Sequence, residues 1–287
     1  MKTKVYQPES LGEALEIIRE NDQIKVLAGG TDLLLNLDKL KKDKLQLMDM
    51  TKIDKLKYIR KDEKVIRIGA LTTFAEISEN KLIKKHFISL AAAAKGIGSV
   101  QIRNRSTIGG NIANAAPCAD SLPVLSSLSA RFKIKNIDDT RIVSVKDIVK
   151  GFYQNNLNSD EIITEIIIPE TDKFNFLYFD KVGSRKSVTI ARLNLGAKLE
   201  IEENMIKNAV IFFGALSAKP FRAVNIENYL AGKRISEIDT SKYNQLLKNV
   251  VDQTIPGRYS QQYKRNAICG LGDNLRKSLK LSVIKGE

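Results

Sequence analysis

Residues 106–125 read STIGGNIANAAPCADSLPVL, and among the first fifteen of them Asp120 is the only charged residue. The surrounding chain is rich in lysine, so a stretch carrying Gly109-Gly110, Asn111, Asn114 and four alanines answers to a different constraint. Paired glycines let a backbone come close to a ligand, and alanines form a wall without bulk. Ser106, Thr107, Asn111, Asn114 and Asp120 add hydroxyl, amide and carboxylate groups. That mixture suits a ligand with pyrophosphate and polyhydroxyl parts. It also suits a buried loop whose Asn and Asp side chains satisfy their own backbone.

A second glycine pair tips the balance toward a ligand. VLAGGTDLLL, residues 26–35, places Gly29-Gly30 after an apolar, buried-looking strand and before a helix-like run. Successive amides at such a turn can converge on an anion, and a following helix N-terminus favours phosphate. Neither familiar nucleotide loop is present. Residues 28–33 contain no Lys for a P-loop, and GIGSVQ, residues 96–101, lacks the third glycine of the dinucleotide fingerprint and follows a helix-like segment.

Reading outward, VYQP is a strand, Ser10 to Glu13 is a capping box, and Leu11, Ala14, Leu15 and Ile18 share one face of a helix of about ten residues. IKVLA is a strand and TDLLLNLDKL is helical. KLQLMDM is a strand, and YIRKDEKVIRIGA is a hairpin turning at Lys61-Asp62-Glu63. TTFAEISEN and KLIKKHFISLAAAAKG read as helices, ARFKIK, RIVSV and EIITEIIIP as strands. The apolar run closes at Pro169, and the polar turn at residues 169–172 is the expected domain boundary. Beyond it FLYFDKV, ARLNLGAKLEIE and MIKNAVIFFGAL form a three-stranded antiparallel sheet, with turns at Gly183-Ser184 and Glu203-Asn204. NIENYLAGK, SKYNQLLKNVVDQ and SQQYKRNAICGLGDNLRKSL follow as helices. Strands followed by a run of helices make the fold α+β.

A length of 287 residues makes two domains the natural expectation. No apolar run is long enough to span a bilayer, and MKTKVYQPESLGEALEII lacks the apolar centre of a signal peptide, so a cytoplasmic protein without a membrane partner is expected. Cys118 and Cys269 are the only cysteines and His86 the only histidine. Neither a zinc site nor an iron–sulfur cluster, which usually takes four thiolates, can be built from them. Demanding redox chemistry must therefore come from a bound cofactor. The net charge is +14, but KKDK, RKDEK and KNIDDTR interleave acids with the bases, the pattern of solvated faces, and nucleic acid is not expected as a partner.

VLAGGTDLLL, QIRNRSTIGGNIANAAPCADSLPVL and the later YFDKVGSRKS and ARLNLGAKLEI together resemble the FAD-binding (medium) subunit of the molybdenum hydroxylases, the xanthine dehydrogenase family. The resemblance covers nearly the whole chain. It implies a PCMH-type FAD-binding domain of two α/β subdomains over residues 1–170. An antiparallel sheet-and-helix domain of the CO dehydrogenase flavoprotein C-terminal type would follow over residues 174–280. By the same resemblance Leu27, Ala28, Gly29, Gly30, Thr31, Asp32 and Leu33 wrap the FAD pyrophosphate. Thr107, Gly110, Asn111 and Ala113 supply the other side, Ile97 and Ile102 lie near the cofactor, Asp120 meets the ribityl chain, and Ile163 and Lys181 approach the flavin end. None of these residues is implied as a general base and none as a metal ligand.

The implied partners are a molybdopterin-binding large subunit and an iron–sulfur small subunit, with NAD as the implied electron acceptor. The hydroxybenzoyl-CoA reductase subgroup, which adds a cysteine-rich loop, is disfavoured by the two distant cysteines. Two rival readings stand beside this one: a self-contained flavin oxidoreductase of the same fold, and a basic module that binds polyanions.

Overall fold

The computed structural model describes residues 4–39, 45–170, 173–185 and 187–284. The N-terminal layer contains β1 (Lys4–Tyr6), α1 (Leu11–Glu20), β2 (Lys25–Leu27) and β3 (Gln46–Asp49), with the strands parallel in the order β1-β3-β2. Ser10 caps α1 by accepting the Glu13 amide at 3.2 Å, and Ala14, Leu15 and Ile18 are its buried face. The Glu13 carboxylate accepts the Glu9 amide at 2.9 Å, so the expected box does not close on Ser10. β2 lies at the sheet edge with Lys25 and Val26 exposed, not buried as its apolar run suggested. TDLLLNLDKL forms a turn and a 3-10 segment, Leu34–Lys39, not the expected α-helix. Leu35 is 80% exposed, so this run has no buried face to stabilise an α-helix. Leu40, which ends the run, lies outside the described residues.

The central unit opens with β4 (Ile59–Asp62) and β5 (Val65–Gly69). Glu63, with φ of 51°, starts the turn between them. Six helices follow: α2 (Phe74–Glu79), α3 (Lys81–His86), α4 (Ile88–Gly96), α5 (Val100–Arg105), α6 (Ile108–Asn114) and α7 (Ser121–Ser127). Then come β6 (Arg131–Lys135), β7 (Thr140–Ser144), α8 (Val145–Ile148), the hairpin β8 (Val149–Gly151) and β9 (Gln154–Asn155), and β10 (Ile162–Pro169). The antiparallel sheet runs β4-β5-β10-β6-β7. The central place of β10 explains why EIITEIIIP is apolar and almost wholly buried. KLIKKHFISLAAAAKG is two helices, because Phe87 leaves helical geometry between them. β10 ends at Pro169; Thr171 and Asp172 of the expected boundary lie outside the described residues.

The C-terminal unit has β11 (Phe176–Gly183), β12 (Ala191–Glu202), β13 (Met205–Gly214) and a short β14 (Phe221–Arg222) in one antiparallel sheet. Helices α9 (Val224–Leu230), α10 (Thr240–Thr254) and α11 (Gln261–Ile284) cover it. Glu203 and Asn204 both have positive φ, 48° and 63°, the geometry that a tight hairpin demands. Leu193, Leu195, Leu199, Ile211 and Phe213 form the sheet's share of a core closed by Leu247, Ile268 and Leu275 of the helices. The central and C-terminal units meet where α7 lies on β12. A Cβ on Gly196 would stand 2.6 Å from the Pro123 carbonyl carbon, so only glycine permits this approach.

Candidate cofactor site

The first glycine turn leaves β2 at Leu27, whose carbonyl accepts the Met50 amide at 2.9 Å. Gly30 adopts φ of 75°, a conformation other residues resist. The turn closes through Leu34 N–H donating to Gly30 O at 3.2 Å and Asn36 N–H to Leu33 O at 3.1 Å. Within it, none of the five successive amides from Gly29 to Leu33 donates to an acceptor among the described residues. A run of free donors at a turn suits an anion.

The second motif is not a loop. Thr107 caps α6 and accepts the Gly110 amide at 3.2 Å, so Gly109 and Gly110 lie in the first helical turn. The Ile108 amide donates to Thr72 O at 3.1 Å, that of Gly109 to Ala70 O at 2.9 Å and that of Asn111 to Thr107 O at 3.0 Å. The Asn111 side chain accepts from Ser121 at 2.5 Å, and the Ala113 carbonyl accepts from Asn155 at 2.7 Å. A Cβ at Gly109 would sit 2.6 Å from Ala70 Cβ, so this glycine exists for packing against the end of β5. The two motifs touch: a Cβ at Gly29 would meet Arg105 O at 2.0 Å, and one at Gly110 would be 3.5 Å from Ala28 Cβ. At this junction the Ser106 hydroxyl is buried and has no hydrogen-bond partner.

Beyond α6, Asp120 and Lys181 form a buried ion pair that joins the central and C-terminal units. Lys181 Nζ donates to Asp120 Oδ2 at 2.6 Å, to Gly96 O at 2.8 Å and to Thr189 O at 3.2 Å. Asn194, opposite Lys181 in the β11–β12 register, donates to Asp120 Oδ1 at 2.9 Å. Burial pushes the Asp120 carboxyl up, while Lys181 and Asn194 pull it back toward the ionised form. Both Asp120 oxygens are thus engaged by the protein, and the residue is 5% exposed.

The remaining expected residues divide. Ile97 is half-buried, and its carbonyl and that of Gly98 both accept from Arg103 at 3.1 Å. Ile102 is exposed on α5. Ile163 is buried on β10 opposite Ile134, and its side chain belongs to the core. Two residues unmarked at the sequence level also belong here. Asn194 is an amide within the apolar strand LNLGAKL, a signal that was present in the sequence. Tyr153, at the tip of the β8–β9 hairpin with φ of 54°, lies beside the Cys118 thiol, and Asp32 of the first turn is near enough to act electrostatically on both. Burial, with Asp120 behind it, raises the Cys118 pKa, so the thiol stays protonated at neutral pH.

Among the described residues no group of three His, Cys, Asp or Glu side chains could hold a metal, and no helix is long and apolar enough to cross a membrane.

The family described as the FAD binding domain in molybdopterin dehydrogenase matches residues 1–171, and the CO dehydrogenase flavoprotein C-terminal domain matches residues 178–275. The glyceraldehyde dehydrogenase medium chain of Sulfolobus acidocaldarius is 30% identical over 262 residues, covering 91% of this chain and 92% of that one. The nicotinate dehydrogenase FAD-subunit of Eubacterium barkeri is 29% identical over 272 residues, 93% and 92% of the two chains. Among solved structures, quinoline 2-oxidoreductase of Pseudomonas putida 86 shares the fold with a TM-score of 0.88 at 22% identity, over 100% of this chain and 98% of that one. The chain therefore belongs to the FAD-binding medium subunits of the molybdenum hydroxylases, the xanthine dehydrogenase family. It is an oxidoreductase subunit and FAD is its cofactor. The residues present fit that group: five unpaired amides answer a diphosphate, and an orphaned hydroxyl waits where the two motifs touch.

Proposed function

We propose that this chain is the electron-transfer flavoprotein of a xanthine dehydrogenase-like complex. In that complex a molybdopterin-binding large subunit oxidises the substrate and an iron–sulfur small subunit delivers electrons to this chain, with NAD as the final acceptor. When bound, FAD supplies the exchange between one-electron donors and two-electron acceptors. Everything else is the protein's part. The free amides of Gly29 to Leu33 are the observation that carries the reading: they would bind the diphosphate without needing a basic side chain. Leu27 and Ala28 bring the chain into that turn, while Thr107, Gly110, Asn111 and Ala113 form the facing wall with Ile97 and Ile102 at its rim. Asp120 acts chiefly by holding Lys181 across the unit junction, leaving its spare lone pairs for a ribityl hydroxyl. Ile163 contributes as backing for the wall rather than through its side chain. The FAD-binding domain is read as residues 1–170 and the second domain as residues 174–280.

The test is direct. The purified full chain, titrated with FAD, should take up one flavin, visible by its absorbance and quenched fluorescence. Absence of uptake would overturn the reading. In the assembled complex, bleaching of the flavin by NADH supports NAD as acceptor; an unbleached flavin that substrate can still reduce refutes it.

A further inference from the structure

Asn194 is wholly buried in β12, where it stands opposite Lys181 of β11 on one side and Gly214 of β13 on the other. Its Nδ2 donates to Asp120 Oδ1 at 2.9 Å and lies 3.4 Å from the Ala119 carbonyl oxygen. Its Oδ1 is buried with no donor among the described residues. Turning the amide over would set that oxygen against two acceptors, so the unpaired oxygen is the cost of keeping the donor on Asp120. A Cβ at Gly214 would overlap the same oxygen, and only glycine there leaves the amide its room. The adjoining Ala215 amide donates to Pro117 O at 2.9 Å, which ties the end of β13 to the turn that carries Asp120. Asp120 itself occupies the N-cap of α7, where an aspartate ordinarily accepts a helix amide, yet its side chain makes no capping bond. Both oxygens are turned away instead, Oδ1 to Asn194 and Oδ2 to Lys181.

We propose that Asn194 is a positioning residue: its amide, seated against Gly214, holds the Asp120 carboxylate out of the α7 cap and aimed at a ribityl hydroxyl of the flavin. The inference rests on the flavin reading above and adds the residue that orients Asp120. Lys181 alone fixes one oxygen and leaves the carboxylate free to rotate about that bond toward the amides of α7. A second donor on the other oxygen removes this freedom before the ligand arrives. Each oxygen accepts one of these bonds and keeps lone-pair capacity for a hydroxyl donor. A leucine at position 194 would suit the apolar strand and bury no lone acceptor, so stability alone gives the amide no reason to be there.

The experiment titrates the flavin-free full chain with FAD and with the three analogues that each lack one ribityl hydroxyl, reading the quenching of flavin fluorescence. In wild type, the analogue missing the hydroxyl that Asp120 meets should bind about tenfold more weakly than FAD. Asn194→Leu should weaken FAD by a similar factor, yet bind that analogue as tightly as wild type does, because the contact that Asn194 positions is already gone. Gly214→Ala keeps the amide and displaces it, and should give the same pattern; it carries the test where Asn194→Leu does not fold. FAD held by Asn194→Leu as tightly as by wild type overturns the proposal. Equal weakening of FAD and every analogue, or the failure of both variants to fold, also overturns it by making Asn194 a purely structural residue. A wild-type chain that binds all three analogues like FAD refutes the Asp120 contact and this inference with it. One that never takes up FAD defeats the underlying flavin reading instead, before any variant is made.

Discussion

The two glycine motifs look alike in sequence and do opposite work. In AGGTDL the five amides of residues 29–33 donate to no acceptor among the described residues. In TIGGN the amides of Ile108, Gly109, Gly110 and Asn111 are all taken by Thr72, Ala70 and Thr107. Gly29 and Gly109 both admit neighbouring backbone, of Arg105 and Ala70, but only the first motif keeps donors to spare, while in the second, a packed helix start, the protein answers them all. A glycine pair therefore signals close approach, and only the hydrogen-bond accounting tells whether the approaching group is a ligand or the protein itself.

That contrast can be broken in order of expected effect. Lys181→Met leaves the Asp120 carboxylate buried with only Asn194, and should cost about 3–5 kcal/mol in urea unfolding; an unchanged midpoint would mean that the ion pair does not hold the units together. Gly109→Ala forces a Cβ against Ala70 and should cost about 1–3 kcal/mol, with flavin lost only in proportion to unfolding. Gly30→Ala should reverse the balance: strain of about 1 kcal/mol at its positive φ, yet a clear loss of FAD affinity in the folded chain. Should both glycine variants lose FAD and stability in the same ratio, the division of labour is wrong.

The smallest effect concerns the scaffold behind the second motif. Glu161 accepts from Arg141 at 2.6 and 2.8 Å, and Arg141 also donates to Asn156 O at 2.7 Å, next to the Asn155 that holds Ala113. The Arg141 guanidinium keeps the Glu161 carboxyl below its ordinary value of 4.5. A carboxyl depressed in the folded state stabilises fully above the unfolded value and loses that contribution as pH falls through the folded one. Unfolding followed from pH 6 downward should lose about 1 kcal/mol more in wild type than in Glu161→Gln across the range just below pH 4.5.

Most strands were legible because their apolar patterns are long: β10, β12 and β13 each carry eight or more residues of consistent pattern. β2 has three residues, too few to separate an edge from a centre. α6 was hidden by its two glycines, poor helix formers, although Thr107 as a cap and Ile108 and Ile112 on one face were available as signals. The candidate site was half legible for the same reason. Local motifs mark residues 27–33 and 107–120, but the meeting of Asp120 with Lys181 and Asn194 depends on how α7 seats on β12. Tyr153 has no local signature, since its place beside Cys118 comes only from where the tip of the β8–β9 hairpin lies.

The bond from Lys181 to Asp120 also bears on the order in which the chain is made. Asp120 leaves the ribosome sixty-one residues ahead of its cation, so the nascent N-terminal segment must carry an unanswered acid until β11 emerges. A fragment stopped at β10 would keep that acid at an open surface. Completion of the flavin-binding half is thereby tied to synthesis of the half that follows it.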